Sequence, residues 1–244
     1  MDPCLAITMA AWHGCVRGVT TPGVDADMRF LADLRAEHDL IDAMAGSLRG
    51  FSLGYAGTPA QVTLAGDYLR FFRLWAGQFH HHREEDVLFP ALVGQLQVPA
   101  DRGPVAVLTA DHQEMGGLLT DLAAAVGLGK DGAGKARDAA LSYTRRLQHH
   151  IDAENSVLLP ECAHRLTRAG VPDLPSPQPT ADQVRARDLA EGLLTRFPPC
   201  EDGAMVRGDG CIMCPAYGVS CDGLEKAWWS EAEWEDARDR LASS

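Results

Sequence analysis

An ungapped repeat, eleven residues long and displaced by 70 positions, restricts the folds open to this chain. Residues 80–90 read HHHREEDVLFP and residues 150–160 read HIDAENSVLLP, so both contain H-x-x-x-E followed by x-x-V-L-[FL]-P. A second pair, AEH ending at His38 and ADH ending at His112, repeats at an offset of 74. Each half of this region therefore supplies one histidine and, further along, one H-x-x-x-E motif.

Hydrophobic periodicity predicts that both copies of the repeat lie on helices. Apolar residues at helical spacing occupy four segments, at about 25–48, 58–95, 104–127 and 136–170. Thr58 can cap the second segment and Pro59 can occupy its first turn, where a missing N–H costs nothing. No part of this region alternates with period two. The predicted fold class is all-α, an antiparallel up-down four-helix bundle with short Gly- and Pro-containing loops.

A helix brings the two members of each motif to one face, since residues four apart have Cβ atoms roughly 6 Å apart. His80 with Glu84, and His150 with Glu154, can therefore each direct two donors at one place. The approximate two-fold symmetry of a duplicated bundle brings the donors of both halves together. A single H-x-x-x-E arises easily by chance on a polar helix face, whereas two in matching contexts predict a shared metal site.

The chemistry of these donors favours iron. Imidazole suits iron, zinc, copper and nickel, while carboxylates favour harder ions. Four histidines and two glutamates in a bundle fit a di-iron centre, with two Fe per chain and each glutamate bridging both metals. These donors do not fill two octahedral irons, so an exogenous molecule can bind. The predicted ligands are His38, His80, Glu84, His112, His150 and Glu154. The neighbouring His81, His82 and His149 are rotated by about 100° or more and are expected beside the site or at the surface.

With these motifs the sequence resembles the hemerythrin-like, His-His-Glu cation-binding family, over roughly residues 25–169. The resemblance rests on EHDLID, HHHREEDVLFP, DHQEM and HHIDAENSVLLP. It implies a helical bundle that holds a non-haem di-iron site and binds dioxygen or a related small molecule. The ligands that it implies are the six residues named above.

One position departs from the pattern of the oxygen-carrying members of that family. Those members use five histidines, the fifth one helical turn after the third-helix ligand, and here that position is Gly116. A more open and less nitrogen-rich pair of irons is expected to be more reactive, which argues against simple reversible oxygen carriage. The candidates for a replacing ligand are Asp42, Glu85, His81, His13 and Asp111.

The C-terminal part of the chain has a different composition. The stretch VPDLPSPQP at 171–179, with four prolines in nine residues, predicts an extended linker. Beyond it, four thiolates among glycines and prolines suit a tetrahedral structural zinc, with an iron–sulfur cluster or simple thiols and disulfides as alternatives. These thiolates belong to Cys200, Cys211, Cys214 and Cys221. The predicted domains are an N-terminal segment (1–24), the bundle (25–170), the linker (171–182) and a cysteine-rich extension (183–244).

Charge and composition limit the partners. The chain of 244 residues carries 22 Lys and Arg against 34 Asp and Glu, a formal net charge of −12. An acidic protein is a poor partner for nucleic acid or an anionic membrane. No apolar run approaches the ~18 residues of a membrane span, and no basic residue precedes the apolar N-terminal stretch, so a cytoplasmic protein is expected. The Trp-rich segment KAWWSEAEWEDARDRL either packs the extension on the bundle or forms a dimer or protein-partner surface.

Two functions of different classes follow from these predictions. In the first, the centre binds dioxygen, NO or peroxide in sensing, stress response or redox chemistry. In the second, the protein is an O2-dependent di-iron oxidoreductase acting on a small-molecule substrate, and the C-terminal extension caps the pocket. No residue identifies a substrate-binding group, so the sequence leaves open whether the protein is an enzyme. A zinc- or iron-bound structural or storage module is a third alternative.

Overall fold

The computed structural model describes residues 28–101 and 103–203, and all regular secondary structure within these ranges is helical. The α-helices are α1 (Arg29–Leu53), α2 (Pro59–Phe71), α3 (Phe89–Leu96), α4 (Gly103–Gly127), α5 (Ala133–Ala153), α6 (Leu159–Arg168) and α7 (Ala181–Arg196). Three π-helical segments, π1 (Phe72–His81), π2 (Glu84–Leu88) and π3 (Glu154–Leu158), join α2 to α3 and α5 to α6 into continuous helical rods. Within these ranges the bundle has four rods, numbered in chain order: α1, α2 to α3, α4, and α5 to α6. The all-helical class predicted from the sequence is confirmed for these residues.

Local sequence explains where the second rod begins. Thr58 accepts a hydrogen bond from the Gln61 backbone N–H, and the Gln61 side chain accepts one from the Thr58 backbone N–H. Pro59 occupies the first turn, so both parts of the predicted start signal are confirmed. Thr180 and Gln183 form the same reciprocal capping box at the start of α7.

Helix α1 continues past its predicted end at residue 48 because Gly50 serves packing rather than termination. A Cβ on Gly46 would lie 3.0 Å from the Cβ of Pro199, and one on Gly50 would lie 3.3 Å from the Cβ of Cys200. The Cys200 backbone N–H also donates to the Gly46 carbonyl at 3.0 Å. The two glycines therefore let the chain after α7 lie directly on α1.

The two H-x-x-x-E motifs share a local conformation that sequence periodicity did not predict. Segments π2 and π3 begin at Glu84 and Glu154, the last residues of the two motifs. The repeat therefore extends from the sequence to the backbone. Pro90 and Pro160 follow these segments, and a proline within a helix removes the i→i−4 hydrogen bond and crowds the carbonyl that would accept it. The wider i→i+5 pattern of a π turn absorbs this defect.

The rods pack side by side into a helical bundle. Helix α5 contacts both α1 and α4, α2 and π1 contact α4, and α3 contacts α6. The loops before α2 and before α5 meet at one end. A Cβ on Gly57, whose φ is +67°, would lie 2.2 Å from the carbonyl oxygen of Gly129, so this contact requires glycine.

Two apolar clusters fill the interior of the bundle, and a layer of polar side chains separates them. On α4, His112 lies between Leu108, which belongs to one cluster, and Met115, which belongs to the other. Helix α1 shows the same order around His38, between Leu34 and Ile41. The polar layer is therefore closed off by apolar packing above and below.

The chain after the fourth rod lies along the bundle. Residues 171–179 contain no helix, as their composition predicts. Asp173 accepts from the Phe30 backbone N–H at 3.1 Å, and α7 contacts α1, α2 and π1 and contributes Leu193 to the apolar core. None of the helices within 28–101 and 103–203 combines the length and apolar character needed to cross a bilayer.

Candidate metal centre

The six residues predicted as ligands come together in the polar layer. All six are buried, and five of them are at most 2% exposed. Their donor atoms form two groups, within each of which all donors lie within 4.8 Å of one another. The first group is His38, His80, Glu84 and Glu154, and the second is Glu84, His112, His150 and Glu154. Both glutamates belong to both groups.

The two carboxylates occupy the centre of the layer. Glu84 Oε1 lies 3.8 Å from His38 Nε2, while Glu84 Oε2 lies 3.4 Å from His112 Nε2. Glu154 Oε2 lies 3.1 Å from His38 Nε2 and 3.2 Å from His150 Nε2. Each carboxylate therefore faces histidines of both groups, which is the position required of a ligand shared by two cations.

Several inward-facing atoms of the layer lie close to one another but form no hydrogen bond of acceptable geometry within the described ranges. They are the Nε2 atoms of His38, His80 and His81 and both carboxylate oxygens of Glu84 and of Glu154. The Nε2 atoms of His112 and His150 face each other at 3.1 Å, where two lone pairs repel unless a proton or a cation lies between them. Buried polar atoms are rarely left unsatisfied, and nitrogen and carboxylate donors suit a transition-metal cation. The residues therefore fit a metal cofactor.

The outer ring nitrogen of each predicted histidine ligand has a polar partner, which directs Nε2 inward. Nδ1 of His80 donates to Glu37 Oε2 at 2.8 Å, and Nδ1 of His38 donates to Asn155 Oδ1 at 2.8 Å. Nδ1 of His112 donates to Glu85 Oε1 at 2.7 Å. Nδ1 of His150 lies 3.5 Å from Asp111 Oδ2. No motif in the sequence marks Glu37 or Asn155 as such a partner. Their only sequence signal is adjacency to a ligand, since Glu37 precedes His38 and Asn155 follows Glu154.

The candidates for a replacing ligand take different places. Glu85 and Asp111 contact outer histidine nitrogens rather than the centre of the layer. Asp42 accepts from Gln148 Nε2 at 3.1 Å. His13 lies outside the described residues, and His81 enters the polar layer.

The triple histidine contributes two inward-facing rings. His80 and His81 are 1% and 7% exposed, whereas His82 is exposed. His80 and His81 are the last two residues of π1. The i→i+5 hydrogen bonds of a π-helix add about one residue to each turn, so the angle between successive side chains is smaller than in an α-helix. An ideal α-helix would rotate His81 further from His80, which is why His81 was expected beside the site or at the surface. The exposure of Gly116, where an added Cβ would meet no atom within 4 Å, shows that α4 turns this position away from the layer.

Protons balance the charge of the layer when no cation is bound. Burial is the largest influence on the pKa of His38 and lowers it, but Glu154 and Glu84 outweigh burial and raise this pKa to about 10. Burial also lowers the pKa of His112, which Glu84 and Glu85 raise to about 10. For Glu84 and Glu154, burial raises the pKa, yet the facing histidines hold it well below the ordinary range. Both carboxylates are therefore ionised at neutral pH, and the imidazolium protons must leave when a cation binds.

The proposed cysteine site lies largely beyond the described ranges. Cys200 is half-buried on α1, and Cys211, Cys214 and Cys221 are outside the described residues. A zinc site in this part of the chain stays a prediction.

The fold and the buried donors define a helical protein with a His/Glu cation-binding centre. A family model described as the hemerythrin HHE cation-binding domain matches residues 29–162, more than half of the chain. The chain therefore belongs to this family, and the resemblance stated from the motifs is confirmed. Comparison with curated proteins and with solved structures gave no match.

Replacing Glu37 by alanine is expected to weaken metal binding about 10- to 100-fold, because the outer partner of a ligand histidine orients its ring and raises its basicity. Glu37 is 11% exposed at its side chain and also pairs with Arg83. Glu37→Gln keeps an acceptor for His80 and should lose less. Competition with a metal chelator measures both changes.

Asp33 supplies the matched control for Glu37. It lies on the same helix and reaches the same arginine, with Asp33 Oδ2 3.6 Å from Arg83 Nη2, but its side chain is 44% exposed. Asp33→Ala should therefore leave metal affinity unchanged. Equal losses in the Asp33 and Glu37 variants would assign the effect to Arg83 rather than to the histidine.

Proposed function

We propose that this chain is a non-haem di-iron protein that binds or activates dioxygen, or the related molecules NO and peroxide, in sensing, stress response or redox chemistry. The observation that carries the proposal is the sharing of Glu84 and Glu154 by both groups of donors. A pair of cations held by two common carboxylates satisfies every inward-facing oxygen of the layer, which a single cation in either group would not. Mixed imidazole and carboxylate donors suit iron.

The proposal includes an antiparallel up-down arrangement of the four rods. Short connections between successive rods support it, since helices joined by a few residues pack as antiparallel neighbours. The contact between Gly57 and Gly129 also supports it, because it places the loop after α1 beside the loop after α4. In this arrangement both H-x-x-x-E rods cross the polar layer at the same height.

The protein itself contributes orientation, charge and exclusion of water. Glu37, Glu85 and Asn155 hold three imidazole rings with Nε2 inward. The low pKa values of Glu84 and Glu154 keep both carboxylates ready as ligands. Two bound irons would supply the electrons and the Lewis acidity that a bound small molecule needs. Apolar clusters on both sides of the layer limit the access of bulk water to it.

Anaerobic loading with Fe2+ followed by exposure to air tests the proposal. We expect about two irons per chain and an absorption band that develops on contact with air. A band that disappears under vacuum indicates reversible binding, whereas a band that decays to a stable diferric product indicates oxidase chemistry. Binding of fewer than two irons per chain, or zinc in place of iron after expression in iron-replete medium, would overturn the proposal.

A further inference from the structure

His81 is a buried imidazole that the shared-glutamate arrangement does not use. It is 7% exposed, and its Nε2 has no hydrogen-bond partner within residues 28–101 and 103–203. A polar atom buried without a partner destabilises the folded protein. Neither solvent exposure nor a hydrogen bond at Nε2 therefore accounts for the position of His81.

The ring of His81 lies against the histidines of one donor group. It stacks on His112 with the ring centroids 4.0 Å apart and the planes inclined by 5°, and its centroid lies 5.6 Å from that of His150. Donor nitrogens of His81, His112 and His150 lie within 4.8 Å of one another. The same His112 and His150 form a group with Glu84 and Glu154.

Among the described residues, the opposite pair of histidines has no such companion. His81 shares no donor group with His38, and the group of His38 and His80 is completed by the two glutamates alone. The rings of His80 and His81 are 5.6 Å apart and inclined by 56°, so consecutive residues of π1 point to different parts of the layer. Within residues 28–101 and 103–203, the layer therefore offers three imidazoles on one side and two on the other.

We propose that His81 is a further metal ligand, which joins His112 and His150 at one of the two metal positions and makes the two positions unequal. This inference rests on the proposed di-iron function. The position at His112 and His150 then has three imidazole donors, and the position at His38 and His80 has two. An unequal pair leaves the position at His38 and His80 with more room for an exogenous molecule. The fifth nitrogen comes from the second rod, immediately after the ligand His80, and not from α4.

Replacement of His81 by phenylalanine separates coordination from packing. Phenylalanine preserves a flat ring to stack on His112 but has no donor atom, and His82→Phe places the same change on the exposed neighbour. Anaerobic Fe2+ titration against a chromophoric chelator should show one of the two irons bound about 10- to 100-fold more weakly in His81→Phe. The other iron, and both irons in His82→Phe, should keep the affinity of the unaltered protein.

A second variant and a second measurement keep the inference testable if the phenylalanine ring does not fit. His81→Leu also lacks a donor and should show the same selective loss. Mössbauer spectra of the loaded unaltered protein should contain two unequal iron environments, and these should become more alike in either variant that still holds both irons. Unchanged affinity and unchanged spectra in both variants would mean that His81 only packs on His112, and would overturn this inference alone. An unaltered protein that binds fewer than two irons would overturn the proposed function and this inference with it.

Discussion

Replacing either Glu84 or Glu154 by alanine is expected to lower the iron content from about two per chain to well below one. Each glutamate belongs to both donor groups, so a single change removes one donor from each metal position. It also removes a buried negative charge that offsets two cations. Loss of any one histidine removes a donor from one position only and should leave the other partly occupied. Metal analysis after anaerobic loading and desalting measures the difference.

Two other glutamates provide matched controls for this prediction. Glu85 follows Glu84 directly but contacts the outer nitrogen of His112, so Glu85→Ala should weaken binding without reducing the count at saturating iron. Glu114 is 54% exposed and pairs with Arg146, so Glu114→Ala should have no effect on iron. Retention of two irons by either Glu84→Ala or Glu154→Ala would show that the carboxylates are not shared ligands.

The stability of the metal-free protein is expected to fall as the pH rises from about 6.5 to about 10. His38 and His112 have pKa values raised from 6.5 to about 10 in the folded protein, by glutamates that outweigh the effect of burial. A raised pKa adds stability that is fully present below the unfolded value and is lost as the pH passes the folded value. Each 1 kcal/mol lost across this window would lower Tm by roughly 2–4 °C for a chain of this size.

Bound metal counteracts the fall in stability with rising pH. Cations bind deprotonated imidazoles, so the affinity for metal increases with pH over the same window. The gap in Tm between metal-loaded and chelator-treated protein should therefore widen from pH 6.5 to pH 10. Thermal unfolding followed by circular dichroism, with and without chelator, measures the gap. A metal-free Tm that stays constant or rises over this window would contradict the charge balance assigned to the layer.

Below pH 6.5, His81 causes the stability of the metal-free protein to fall as the pH falls. Burial first, and then the neighbouring His112 and His150, lower its pKa well below 6.5. The stability that His81 contributes is present above pH 6.5, where the side chain is neutral in the unfolded chain as well, and it is lost as the pH falls below 6.5. The metal-free protein should therefore be most stable near the ordinary histidine pKa.

The six residues that meet in the polar layer were predicted from the sequence because spacing within a helix, or between the two halves of the repeat, marks them. His80 with Glu84, and His150 with Glu154, share a helix face whatever the rest of the chain does, and the repeat shows that the pairs belong together. Helix type and the cap at Thr58 are equally local, since propensity, periodicity and the first hydrogen bonds involve residues a few positions apart.

The outer partners of the histidines depend on tertiary structure. Glu37 reaches His80 from another helix, 43 residues away, and Asn155 reaches His38 across 117 residues. No spacing rule connects such residues, because the contact exists only after the rods have packed. Asp111 and Glu85 illustrate the same limit. Their proximity to a ligand was visible in the sequence, but whether they faced the metal or the outer nitrogen was not.

The sequence by itself determined an all-helical chain with a duplicated set of four histidines and two glutamates, since periodicity and spacing act within one helix. Tertiary structure decided which neighbours of that set also enter the layer. His81 turns inward and His82 outward because π1 ends between them, and the register of a π segment depends on packing as well as on local propensity. The repeat itself has Ile151 where the first copy has His81, but only the packing of the rods decides that His81 enters the layer while His82 stays exposed.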